Sequence, residues 1–336
     1  MPKISVILPI YNAQAFIADA VKSVLTQSVQ DFELILIDDA SSDRTPGILD
    51  GMTDSRIHIV RHDENRGLVA SLNEGLRLSS GKYIARMDHD DIALPDRFAR
   101  QLAFLEQHSS IGVVGTGYRL IDGVGALGPS YRPPVTHEEI SWAMSFLCPL
   151  AHPTVMAHRD LLLANGGYNE SAAYAEDYDL WERLSRQVNF ANLPEPLLLL
   201  RKHANNMTNV WLDKNIAVAT GVALRRIGFL LGEEVDRDVV HCLYTQGHVQ
   251  QERIGQSLEL IMHLMQACST RYPSARRIIR RDAAIRIALM GLRTHRPGPA
   301  LSSLLQASKL NPSFATALLT KLKRRLLKHG DIQLIG

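Results

Sequence analysis

Between Lys3 and Phe190 short apolar runs alternate with stretches of helical period. An apolar run without a polar face must be covered on both sides, which suits a strand buried within a sheet, and the periodic stretches between such runs supply the covering helices. Residues 4–8, 32–37, 57–61, 83–87 and 111–117 read as strands, with a last strand-like run at 197–200. Helices are expected over 15–25, 45–52 and 68–79, and from Pro95 to about Leu105. The glycine- and proline-rich stretch 123–134 reads as loop or hairpin. The predicted class is α/β, a mostly parallel central sheet flanked by helices. Only helical patterns follow residue 200, at about 211–231, 235–244, 252–269, 274–292, 298–310 and 313–328, so a division near residue 210 is expected, with an α/β domain 1–210 and a helical region 211–336.

Charge is unevenly distributed over these two parts. Residues 271–336 hold fourteen lysines and arginines against Asp282 and Asp331, a net of +12, which leaves −10 on the rest of a chain whose total is +2. A basic helical region on an acidic body suits an anionic partner, and 276–281 and 321–328 have the basic amphipathic look of membrane-surface helices. Nucleic acid is the weaker candidate, since only the tail supports it. Cys148, Cys242 and Cys268 have no CxxC spacing, which excludes a disulfide framework and a thiolate zinc site. The segment 123–128 satisfies GxGxxG, but prolines follow it where a dinucleotide fold needs a helix, and no GxxxxGK[ST] loop occurs. The N-terminus enters a strand without a leader, and no run is long enough to span a bilayer; a cytoplasmic location is expected, peripheral at the inner membrane face.

Three acidic clusters lie where strand patterns end, which in an open α/β sheet is the ligand-binding edge. Asp38-Asp39 follows the second strand, Asp88-His89-Asp90-Asp91 follows the fourth, and Glu176-Asp177 precedes a helical stretch. Two carboxylates separated by one residue repel each other unless a counter-charge joins them, and Mg²⁺ or Mn²⁺ suits hard oxygen ligands of this kind.

The motifs taken in order resemble family 2 glycosyltransferases, inverting sugar-nucleotide enzymes of the GT-A fold, over roughly residues 3–205 in the non-processive bacterial type. The opening strand Ser5 to Asn12, the loop Ile37 to Thr45, Asn65-Arg66-Gly67 with Asn73, the DxD at Asp88-His89-Asp90, and Gly166-Gly167-Tyr168 followed by Ala175-Glu176-Asp177 carry the resemblance. It implies donor binding by Pro9, Tyr11, Asp39 and Asp88, a Mn²⁺ or Mg²⁺ ion held by Asp90 and His203, and Asp177 as general base. Glu176, Trp181 and His152 fall on the implied acceptor side, and Arg86 is a candidate phosphate contact. The implied reaction moves one sugar from a nucleotide-sugar, a UDP-hexose or UDP-N-acetylhexosamine ahead of dTDP- or GDP-sugars, to a saccharide or lipid-linked saccharide in surface polysaccharide assembly. Trp142, Trp181 and Trp211 lack the QxxRW context of the processive synthases. Two alternatives stay open: a catalytically inactive sugar- or lipid-binding relative, and a sugar-phosphate nucleotidyltransferase.

Overall fold

In the computed structural model, which describes residues 1–203, 212–244, 251–292 and 297–311, the first compact unit is Met1–Val222 and the second Ala223–Gly336. The first unit opens with β1 (Ile4–Ile10), α1 (Ile17–Leu25), β2 (Phe32–Asp38), α2 (Thr45–Asp50), β3 (Ile57–Arg61), α3 (Leu68–Leu78) and β4 (Tyr83–Arg86). There follow β5 (Ile92–Ala93), α4 (Arg97–Gln107), β6 (Ile111–Ile121), β7 (Leu127–Tyr131), α5 (His137–Ala143), β8 (Met156–His158), α6 (Arg159–Ala164), α7 (Glu176–Leu184) and β9 (Asn189–Arg201).

The nine strands among the described residues join one sheet, in the order β3-β2-β1-β4-β8-β6-β9-β5 with β7 paired to β6. Pairing is parallel from β3 through β4, as the apolar runs require: every residue of β1 is buried, and Ile4, Val6, Leu8, Leu34 and Leu36 pack with the apolar faces of α1 and α4. The sheet turns antiparallel where β8 meets β4 and β6, while β6 and β9 run parallel. Because β1, β2 and β4 point the same way, their carboxyl ends and the acidic segments after them share one edge.

Local bonding explains the element boundaries. Helix α1 begins at Ile17 instead of residue 15 because the amides of Asn12, Ala13 and Gln14 donate to Ser41, Thr45 and Asp43 side chains across the facing loop. Helix α4 begins at Arg97 and not at Pro95 because Leu94 N donates to Leu197 O and Pro95 O accepts from Ser28, extending β5 along β9. The last strand is much longer than its apolar stretch, since β9 also takes in 189–196. The segment after β6 is a hairpin, closed by Asp122 accepting from Val124 and Ala126 with Gly125 at φ +88°.

Helix α8 (Leu212–Leu231) runs across the division at Val222, and the described residues of the second unit continue as α9 (Arg237–Tyr244), α10 (Gln251–Arg271), α11 (Arg276–Leu292) and α12 (Pro297–Leu310), with α9 packed on α10, α10 on α11 and α11 on α12. Ile261, Leu264, Ile279, Ala283 and Ile287 form its core. The helix expected at 313–328, with its basic run, lies outside the described residues. Among the described residues no helix is long and apolar enough to cross a membrane.

Candidate active site

The carboxyl edge is built first by two loops that fasten each other. Asn12, at φ +49°, accepts from Ser42 N through its Oδ1, and its own amide donates to Ser41 Oγ. The left-handed region is one that asparagine tolerates better than most residues, so this turn is affordable there. Behind the loop Asp39 is 4% exposed, and its carboxylate accepts from Arg66 N and Gly67 N, both at 2.8 Å, and lies 2.6 Å from His62 Nδ1. His62 Nε2 in turn faces Glu74 at 3.1 Å, so the ring bridges two carboxylates. Charge-assisted bonds of this kind fix Asp39 against the segment Asn65-Arg66-Gly67. Tyr11 stands in front of this frame, 47% exposed, and Pro9 O lies 3.4 Å from His89 Nδ1.

The densest acidic group follows β4. Ligand atoms of Asp88, Asp90 and Asp91 lie within 4.8 Å of one another. Asp91 was quoted in the sequence motif without a role, yet it is the most deeply buried of the three, at 2% exposure. Burial, with the charges of Asp88 and Asp90, pushes its carboxyl well above the ordinary range, although Arg201 N donates to it at 2.8 Å. Its Oδ2 is buried without a hydrogen-bond partner. Converging carboxylates with an orphaned oxygen fit a hard divalent cation, which would neutralise the repulsion and take up the free lone pairs. His203 joins the group through Nε2, 2.9 Å from Asp90 Oδ2, and its ring lies against Phe16, whose other neighbour is the Arg201 guanidinium.

The second acidic group sits on the first turn of α7. Two left-handed glycines, Gly166 and Gly167, turn the chain so that Tyr168 exchanges backbone bonds with the Asn73 side chain, Nδ2 donating at 2.8 Å and Oδ1 accepting at 2.9 Å. Arg183 anchors α7 to this turn by donating to Asn165 O and Gly167 O. Glu176 is thereby held at 7% exposure, where burial and the neighbouring Asp177 raise its carboxyl to about 7. Burial also raises Asp177, against the lowering effects of Tyr178 N, the Cys148 thiol and Arg86. Cys148 Sγ donates to Asp177 Oδ2 at 3.4 Å, and Tyr178 N donates to Oδ1 at 2.7 Å. A carboxylate with a raised pKa at an edge site is suited to taking a proton.

The remaining candidates sit behind these two groups. His152 is 8% exposed, 2.9 Å from the Tyr168 hydroxyl, and burial with Arg86 nearby holds it neutral. Trp181 is 1% exposed and packs edge-on against His152 and Phe190, so the face on which a sugar would stack is covered. Arg86, expected to meet phosphate, is 5% exposed and ion-paired with Asp88. Asp91, His62, Cys148 and Tyr168 have no role by sequence, although Asp91, by its place in the acidic run, and Tyr168, after Gly166-Gly167, stand in motifs that carry the resemblance.

Residues 5–161 match the family model described as "Glycosyl transferase family 2". An uncharacterized glycosyltransferase of Haemophilus influenzae is 32% identical over 243 residues, which cover 69% of this chain and 75% of that protein. Staphylococcus aureus TarS 1–349 in complex with UDP-GlcNAc aligns with TM-score 0.58 at 17% identity, over 94% of this chain and 92% of that one. A mannosyltransferase of Pyrobaculum calidifontis in complex with GDP-Man and Mn²⁺ aligns with TM-score 0.52 at 17% identity, over 97% and 81% of the two chains. These two structures share the GT-A fold with this protein.

Proposed function

The chain belongs to glycosyl transferase family 2, and from that premise we propose that it is an inverting, metal-dependent glycosyltransferase that moves a single sugar from a nucleotide-sugar to a saccharide or lipid-linked saccharide. The observation that carries this reading is the pairing of one edge cluster suited to a cation, Asp88, Asp90 and Asp91, with a buried carboxylate pair suited to proton transfer, Glu176 and Asp177.

Each residue then has a task. Asp39, with Pro9 and Tyr11 beside it, lines the nucleoside pocket, and its saturated bonding to Arg66 and Gly67 keeps that pocket in shape. Asp88, Asp90 and Asp91, with His203 against Asp90, would hold Mg²⁺ or Mn²⁺. When bound, such an ion supplies Lewis-acid neutralisation of a leaving nucleoside diphosphate. Asp177 takes the proton of the acceptor hydroxyl as that oxygen attacks the anomeric carbon, so a single displacement inverts the configuration there. Tyr178 N and the Cys148 thiol aim the carboxylate. Among donors, UDP-sugars are the first choice: the TarS structure is a UDP-GlcNAc complex, while the GDP-Man complex keeps GDP-sugars in the test.

Helix α11 supports peripheral attachment to an anionic membrane on the cytoplasmic side, which suits a lipid-linked acceptor in surface polysaccharide assembly. Arg276, Arg277, Arg280 and Arg281 are exposed on it beside Ile278, itself 47% exposed. Basic residues next to an exposed apolar side chain are the composition of a membrane-surface helix. Replacing these four arginines with glutamate is expected to abolish co-sedimentation with phosphatidylserine vesicles; retained binding contradicts the attachment.

The functional test is release of nucleoside diphosphate from UDP-glucose, UDP-galactose, UDP-GlcNAc, GDP-mannose and dTDP-glucose, with Mn²⁺ and with EDTA. Metal-dependent turnover of one nucleotide class is expected. Turnover undiminished by EDTA contradicts the metal assignment, and binding of sugar or lipid without any turnover favours an inactive relative.

A further inference from the structure

His62 takes no step in the proposed transfer, yet its ring is wedged between two carboxylates behind the nucleoside side of the site. Its amide donates to Asp38 O at 2.9 Å, which continues the β2–β3 pairing one residue past β3. The side chain is 3% exposed. Nδ1 lies 2.6 Å from Asp39 Oδ1, and Nε2 lies 3.1 Å from Glu74 Oε2. Glu74 is held in turn by Arg66 at 3.1 Å and Arg77 at 3.2 Å, so the far end of the ring is anchored to the second turn of α3.

Asp39 has little of its bonding capacity left. An ionised carboxylate only accepts, and it offers about four positions, two on each oxygen. Arg66 N takes one on Oδ1 and Gly67 N takes one on Oδ2, both at 2.8 Å. His62 takes the second position on Oδ1, and because the carboxylate cannot donate, Nδ1 carries the proton of that bond. Among the described residues no other donor reaches this carboxylate, which leaves a single position, on Oδ2. Nucleobases differ in how many such positions they need. Uracil and thymine present one N–H, at N3, between two carbonyls. Guanine presents two donors side by side, N1–H and the N2 amino group, and a carboxylate meets both only with an open position on each oxygen.

We propose that His62 is a specificity-determining residue: by occupying the second position of Asp39 Oδ1 it leaves room for a single N–H, so the site takes the imide edge of uracil or thymine and rejects the two-donor edge of guanine. Guanine could bond through one donor only, and the second, unpaired in a buried place, costs roughly tenfold or more in affinity. The specificity rests on the reading that Asp39 lines the nucleoside pocket; the bond between His62 and Asp39 does not.

The test uses the full chain and two substitutions that each keep half of the bridge. An asparagine amide overlies the Nδ1 of a histidine and a glutamine amide overlies its Nε2. His62→Asn therefore keeps the donor to Asp39, whereas His62→Gln keeps the donor to Glu74 and opens Oδ1. UDP, dTDP and GDP, which share their phosphates and differ in the base, are titrated calorimetrically with Mn²⁺ into the wild type and both variants. The wild type and His62→Asn are expected to bind UDP or dTDP at least about tenfold more tightly than GDP, and in His62→Gln that ratio falls by roughly fivefold to tenfold. Imidazole ¹⁵N spectra of the wild type without nucleotide, assigned by the resonance that His62→Asn removes, are expected to show Nδ1 protonated. A wild type that prefers GDP overturns the proposal, as does a His62 Nδ1 without its proton. Equal weakening of all three nucleotides in His62→Gln, with the ratio kept, marks His62 as merely structural and overturns the specificity alone. If His62→Gln does not fold, the wild-type preference and the Nδ1 spectrum decide. A protein that binds none of the three nucleotides contradicts the transferase reading, and the specificity falls with it, while a protonated Nδ1 leaves the bond to Asp39 intact.

Discussion

The two acidic groups of the site are made of the same functional group and differ in how many carboxylates face one another and in which side chains close over them. Asp88, Asp90 and Asp91 converge from a loop after β4, with His203 and Arg201 closing on them from the end of β9. Glu176 and Asp177 sit in line on the first turn of α7, enclosed by Tyr168, Cys148 and His152, with a raised carboxyl on each. Three converging carboxylates, one with an unpartnered buried oxygen, suit a cation, whereas a buried pair closed in by neutral side chains suits holding or accepting a proton. What a carboxylate does at this edge is therefore set by how many others face it and by what covers it.

The largest effect should come from the α7 side. Asp177→Asn keeps shape but cannot take a proton, so turnover of the preferred nucleotide-sugar is expected to fall by about 10²- to 10⁴-fold in a diphosphate-release assay, with nucleotide affinity nearly unchanged. A comparable loss of affinity would erase the distinction between the two groups. On the strand-end side, Asp90→Ala is expected to weaken Mn²⁺-dependent UDP binding by roughly tenfold or more, measured by calorimetry, while the Glu176 titration stays in place.

The pH dependence sharpens the contrast. Glu176 has a folded-state pKa raised from 4.5 to about 7, so its protonated form stabilises the fold below the unfolded value, and that stability is lost as pH rises through the folded one. Between pH 5 and 8 the wild type should lose on the order of 2 kcal/mol from this group, and Glu176→Gln should lose less, read as melting temperature against pH. Because Asp177 is raised too, transfer should fall as the pH drops through its carboxyl and level off above it. The smallest effect tests the frame alone. At Gly167, φ +65°, an added Cβ would come 2.6 Å from Asn73 Oδ1, so Gly167→Ala should cost about 1–3 kcal/mol in chemical denaturation and spare nucleotide binding.

Most of this edge was legible before any coordinates. The buried runs that became β1, β2 and β4 announced parallel strands, and the acidic residues after them fell at the shared carboxyl end because parallel strands leave no other place. Elements held by distant partners were not legible. Two residues suffice for β5 because Leu198 and Leu199 complete it, and β9 passes through Pro194 and Pro196 by shifting register against β6 near Thr116 and Gly117. The same holds for the site. Asp39, Asp90 and Asp177 stood in recognisable strings, but the Asn73–Tyr168 exchange and the ion pair that buries Arg86 depend on side chains meeting across the fold. Trp181 falls on the implied acceptor side by sequence, and the packing of Phe190 and His152 around it covers its ring.

Calorimetric titration of UDP, GDP and dTDP into the wild type, Asp90→Ala and Asp177→Asn, with Mn²⁺ and again with EDTA, tests the division of labour most directly. Metal-dependent binding of one nucleotide that Asp90→Ala loses and Asp177→Asn keeps is the predicted result; equal losses in both variants, or binding indifferent to EDTA, would contradict it.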